Sequence, residues 1–288
     1  MHYCFDISMI ASWKLVSAGA LAAVLAALGL AASTTAPGNQ ELNLPLRTRV
    51  QPWKNSEVWE PVALRGTFAT HSSAIIICDM WDQHWCSGAT KRVIDLARRM
   101  DPVLRDARAS GVLVIHSPSD TMAFYKDYPQ RRMMLELAAV KPPAELKLDD
   151  PPLPIDDSDG GCDTPGDKEH QAWSRENPLL SMGPNDAISD DGDQVYSLIR
   201  DRGIHTLFIM GVHANMCILG RSFAIREMTR RGIQCVLVRD LTDSMYNPAR
   251  RPFVSHAAGT ELVIEHIEKY WCPSVLSSDL VAAMAKAH

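Results

Sequence analysis

Leu207-Phe208-Ile209-Met210-Gly211-Val212-His213-Ala214-Asn215-Met216-Cys217-Ile218 is the stretch on which the reading of this chain turns. An apolar run leads into a turn that carries a glycine, and a cysteine then opens a helical pattern. Unbroken apolar runs of this length are expected of strands covered on both faces. A thiol at the start of a helix feels the positive end of the helix dipole, which lowers its pKa and favours thiolate. Far upstream, Ala74-Ile75-Ile76-Ile77-Cys78-Asp79 is a second apolar strand, and it ends on a carboxylate.

Outward from these two strands the chain alternates strand and helix. Val93, Leu96, Ala97, Met100, Val103, Leu104 and Ala107 recur at helical spacing, with Pro102 as a possible kink and Gly111 as a stop. Val112 to Ile115 predicts the next strand, followed by His116. Pro178 to Met182 reads as a short edge strand and Asp193 to Gly203 as a helix. After the strand Thr206 to Met210, a helix is expected from Cys217 to Arg231, then a strand from Gln234 to Val238. His256 to Tyr270 predicts another helix, with a short strand and a last helix after it. This order implies an α/β fold: a three-layer, mostly parallel, Rossmann-like sheet with helices on both faces. Ligands bind such sheets beyond the carboxyl ends of the strands, where the strand order reverses. Asp79, His116 and Cys217 all follow predicted strand ends.

The 288 residues carry a net charge of −5, with 46% hydrophobic and 22% charged side chains. No basic cluster appears, so nucleic acid is not an expected partner. A small-molecule substrate is. At the N-terminus, Lys14 precedes the uncharged stretch Leu15 to Ala32, and Ala31-Ala32-Ser33 offers small residues for cleavage. Residues 1–33 thus read as a signal peptide, with an uncleaved anchor as the alternative. A secreted or periplasmic protein is expected, without stable membrane association once the signal is removed. Residues 34–72 read as an extended arm, and 73–288 as the folded domain.

Loss of the signal removes Cys4 and leaves six of the seven cysteines. Cys78, Cys235 and Cys217 lie in or next to the strand patterns. Cys86, Cys162 and Cys272 are the candidates for bridging, and their spacing does not pair them. Residues 142–178 are rich in Pro, Asp and Gly, and a segment this long and irregular is usually functional or mobile. Its acids, Asp156, Asp157, Asp159 and Asp163, do not fit a calcium-loop template because Ile155 falls at the first ligand position, and a solvated loop is the expectation.

Asp79-Met80-Trp81 resembles the Asp-Met-Gln start of the isochorismatase-like cysteine hydrolases, a family that includes nicotinamidases, carbamoyl-amide hydrolases and isochorismatases. Gly211 to Ile218 resembles their Gly-Val-x-x-Asn-x-Cys-Val nucleophile turn, and Gly232 to Asp240 the strand that follows it. The resemblance spans residues 73 to 285, with 142–178 as an insertion. It implies Cys217 as nucleophile and Asp79 as its base, acting on the C–N bond of a small amide through a thioester. It also implies a non-proline cis peptide near Val212-His213, oxyanion donors on the backbone near Ala214 and Cys217, and a tendency to form homo-oligomers. His213 and Asn215 would shape the turn.

The family lysine is missing. Where it would stand the chain reads Leu180-Ser181-Met182-Gly183-Pro184-Asn185-Asp186-Ala187-Ile188-Ser189, and Lys168 is no obvious equivalent. Arg175, or Arg221 one helical turn beyond Cys217, could supply the positive charge. Trp81, His84 and His116 are expected to line the substrate pocket. Ser117 and Pro118 do not complete the Asp-x-His metal pair of the nicotinamidases, so neither metal nor cofactor is expected. Two other functions remain open: hydrolysis of a vinyl ether, and ligand binding without catalysis.

Overall fold

The computed structural model describes residues 40–286; the expected signal peptide lies outside them. Among the described residues, no helix is long and apolar enough to cross a membrane. The strands are β1 Glu41–Val50, β2 Glu60–Ala69, β3 Ser73–Cys78, β4 Leu113–Ser117, β5 Ala187–Ile188, β6 Thr206–Val212, β7 Gln234–Asp243 and β8 Ser274–Val275. The helices are α1 Ser87–Ala109, α2 Met122–Tyr125, α3 Pro129–Glu136, α4 Gly192–Asp201, α5 Cys217–Gly220, α6 Ile225–Arg230, α7 His256–Tyr270 and α8 Ser277–Lys286. They build one sheet in the order β2-β1-β8-β7-β6-β3-β4-β5. From β8 to β5 every pairing is parallel.

Side chains on a strand alternate between faces, and here both faces are covered. On β3, Ala74, Ile76 and Cys78 enter the core shared with α4, α6 and α7. Ile75 and Ile77 enter the opposite core, against α1 and α8. On β6, Leu207 and Ile209 go one way, and Phe208, Met210 and Val212 the other. Each such fully buried aliphatic side chain stabilises the fold by about 1.5–3 kcal/mol. The three-layer α/β fold is therefore as expected. The order of strands reverses between β3 and β6, and this is where Asp79 and Cys217 emerge.

Some elements differ from the reading. The described part of the expected arm, residues 40–72, is not an extended arm. β1 and β2 pair antiparallel as a hairpin, and β1 joins β8 at the sheet edge. Alternate Leu42, Leu44 and Leu46 face the core, a period of two that marks a half-buried strand. The edge strand is Ala187–Ile188 beside β4, not 178–182. β7 continues past Val238 to Asp243 through an irregularity in its pairing with β6. The expected helix from Cys217 is interrupted: α5 stops at Gly220, and Arg221 is extended (φ −69°, ψ 151°) before α6 begins.

Candidate active site

Gly211 brings the two key strand ends together. It pairs with Cys78 across the β3–β6 ladder, at φ 120°. A Cβ there would lie 2.1 Å from the Cys78 carbonyl oxygen, so only glycine permits this approach. The Val212-His213 peptide that follows is cis, as the resemblance implies.

Asp79 is fully buried, in a left-handed conformation (φ 48°) just past β3. Its Oδ1 accepts the Ser119 N–H at 2.7 Å, and its Oδ2 accepts Nε of Arg221 at 2.9 Å. The Cys217 thiol lies beside the same carboxylate, and each shifts the pKa of the other. Burial raises the pKa of Asp79, and the Arg221 charge pulls it back. Burial also pushes the Cys217 thiol up; the negative charge of Asp79 adds to this and Arg221 opposes it. Burial and the Asp79 charge both oppose the thiolate expected from the sequence. A helix of four residues carries little dipole, and the adjacent carboxylate outweighs it.

The helix break after Gly220 turns Arg221 back toward Asp79, and it is the cation of the site. Its guanidinium is 34% exposed and also lies 3.6 Å from Asp120. Arg175 does not take that place: its guanidinium sits over the Phe124 ring, 5.5 Å from the centroid. The amides of the turn divide their roles differently from the expectation. The Ala214 N–H donates to the Asp243 carbonyl at 2.7 Å, so it is not free for an oxyanion. The His213 N–H points instead at the Cys217 sulfur. Asn215 shapes the turn, donating to Asp157 at 2.7 Å and to the Met245 carbonyl at 3.0 Å.

His116 does not line a pocket. It is fully buried on β4, with Nδ1 2.7 Å from Glu176 and Nε2 3.0 Å from Asp186. Burial opposes its charge, yet the two carboxylates outweigh it and raise its pKa to about 9. Trp81 and His84 do belong to an aromatic cluster beside the turn. Trp81 stacks on Trp173 at 4.2 Å between centroids, Trp173 lies 5.8 Å from His84, and His84 meets His213 edge-on at 5.0 Å. Burial, with Arg92 nearby, holds His84 down to about 4; burial, with His84 nearby, holds His213 down to about 3.

The insertion is bound to this end of the sheet, and its acids are not merely solvated. Cys86 and Cys162 form a disulfide, which settles the pairing the spacing left open; Cys272 is a free buried thiol. Asp163 and Asp243 both accept from Arg92, at 2.7 and 2.8 Å, and His256 Nε2 lies 2.9 Å from Asp243. Asp159 accepts from Asn247 and Arg250. Gly161 packs so closely on Met245 that a Cβ would lie 2.3 Å from its carbonyl oxygen. The one cluster of metal-type ligands among the described residues is Cys86, Cys162 and Asp163, whose sulfurs are bonded to each other. Sequence reasoning did not identify Arg92 or Trp173. Asp243 had a signal, since the polar run 240–248 follows a strand, but the strand was read as ending too early.

No family model and no curated protein matches the chain. Solved structures resemble it. A cysteine hydrolase from Pseudomonas syringae pv. phaseolicola 1448A is 18% identical at a TM-score of 0.50, over 77% of this chain and 96% of that one. An isochorismatase family protein from Burkholderia thailandensis is 19% identical over 75% and 96%, at a TM-score of 0.44. A putative isochorismatase from Burkholderia xenovorans LB400 is 15% identical over 75% and 88%, at 0.47. At such identities the likeness is one of fold, and the first of these gives this chain the isochorismatase-like α/β fold.

Proposed function

We propose that the chain is a hydrolase that cleaves the C–N bond of a small amide, with Cys217 as nucleophile and Asp79 as its base. One observation carries this reading: a half-buried thiol and a buried carboxylate lie together at the switch point of the sheet, with Arg221 on the carboxylate. Asp79 takes the thiol proton as sulfur attacks the carbonyl, and Arg221 offsets the negative charge that then sits on sulfur and oxyanion. The backbone N–H groups of His213 and Cys217 are the donors for the oxyanion. Asp79 returns its proton to the leaving amine. Water then attacks the thioester, Asp79 takes a proton from it and returns that proton to the departing Cys217 sulfur, and the acid is released.

An arginine cannot shuttle a proton as the family lysine can, so Arg221 acts by charge alone. The raised pKa of the thiol favours a second reading, a binding protein in which Cys217 does no chemistry. Intact-mass analysis after exposure to a panel of small amides separates the two. A transient acyl adduct that maps to Cys217 is expected. Alkylation of Cys217 at the rate of a free cysteine, unprotected by any amide, would leave the binding protein. We also propose export, supported by the signal pattern and by the Cys86–Cys162 disulfide, since such bonds persist in oxidising compartments.

A further inference from the structure

Two buried nitrogens stand without partners in the aromatic cluster beside Cys217: Nε1 of Trp173 and Nε2 of His213. Buried polar groups are normally paired, and each unpaired one costs about 1–3 kcal/mol. Both rings border His84, whose own Nδ1 accepts the Cys86 N–H at 3.1 Å. Neutral His84 therefore carries its proton on Nε2, which makes it a further donor in the cluster. None of these groups is charged near neutral pH. The neighbouring cations are committed elsewhere: Arg221 to Asp79 and Asp120, and Arg92 to Asp163 and Asp243. Asp82 lies on the same side, accepting from Ser174. Such surroundings offer uncharged donors among aromatic rings, and they give no counter-charge to a carboxylate.

We propose that Trp173, His84 and His213 form the subsite for the non-reacting part of the substrate, and that this part is planar, uncharged and carries a second hydrogen-bond acceptor such as a carbonyl. The Trp173 N–H and the His213 ring nitrogen read that acceptor. The inference rests on the amide hydrolase reading for its place in catalysis, but the subsite can be tested by binding alone. It disfavours any substrate that bears a carboxylate, including an anionic vinyl ether.

The test is calorimetric binding to the C217A protein, with 4-acetylbenzamide, 4-isopropylbenzamide and 4-carbamoylbenzoate as probes. They share one flat ring and differ in a neutral acceptor, no acceptor and an anion. The acetyl compound is expected to bind at least tenfold more tightly than either of the others. W173F keeps the stacked ring and loses the N–H, and should remove most of that preference while leaving the isopropyl compound unchanged. In the ¹⁵N spectrum, the His213 Nε2 resonance should shift with the acetyl probe, which tests its role without a substitution beside the cis peptide. Equal or tighter binding of the benzoate, an unaltered preference in W173F, or no binding of any probe overturns the subsite. If the acetyl probe binds as expected but never acylates Cys217 in the native protein, the subsite stands and the hydrolase reading falls.

Discussion

Cys217 has two neighbours that set its chemistry, and they pull in opposite directions. Asp79 raises the thiol pKa and Arg221 lowers it; Arg221 also lowers that of Asp79. Removing the guanidinium in R221M lets both rise, so the pH profile of Cys217 alkylation should move to higher pH, with R221K intermediate. D79N should slow acylation of Cys217 by an amide at pH 7 about 100-fold, the low end of what a general base contributes. A second prediction concerns His116. Its folded pKa, about 9, stands above the ordinary 6.5, so the stability it adds is complete below pH 6.5 and is lost as pH rises through 9. The shift corresponds to a contribution on the order of 3 kcal/mol. Urea midpoints measured from pH 6 to 10 should fall across that window in the native protein and lose most of that slope in H116Q. Cys217 and Asp79 were legible because each follows an unbroken apolar strand. The role of His116 was not, since Glu176 and Asp186, which claim it, lie 60 and 70 residues away in segments without periodicity.

At the scale of elements, two attachments hold parts of the chain that periodicity could not place. The hairpin β1–β2 is tied to α7 through Glu268, whose side chain is fully buried and accepts from Arg47 at 2.7 Å and Arg49 at 3.3 Å. Taking away one partner of a buried ion pair strands the others. E268A should therefore cost about 3 kcal/mol in urea denaturation, the lower end of the range because Arg47 retains contact with water. Proline and tryptophan scattered through 34–72 hid the hairpin, although Leu42, Leu44 and Leu46 were its signal. The second attachment is the Cys86–Cys162 bridge, which closes a loop of 76 residues. Such a closure is worth about 4 kcal/mol in the chain-entropy model. C162S, or reduction of the native protein, should lower the unfolding free energy by an amount of that order.

For the molecule as a whole, the sheet and the insertion differ in how they are held. The central strands pair on both sides and are buried on both faces, whereas the insertion pairs through an isolated bridge at Glu176 and is held by side-chain ties such as its disulfide, Asp157, Asp159 and Asp163. Hydrogen exchange should start in the insertion and reach β3 and β6 last. After reduction, faster exchange should spread to the turn at Asn215, which the insertion braces. The order of the layers was readable from alternation alone; the cover over the site was not, because its contacts join residues with no common period. The outer rim of the sheet carries its own consequence. β2 closes the strand order, its residues 60–65 are all exposed, and no described strand pairs on its far side. Pro61 has no amide hydrogen to offer a further strand, and Glu60 and Arg65 set exposed charges on β2, devices that discourage stray strands from docking. Without them, two molecules meeting there would join their sheets edge to edge.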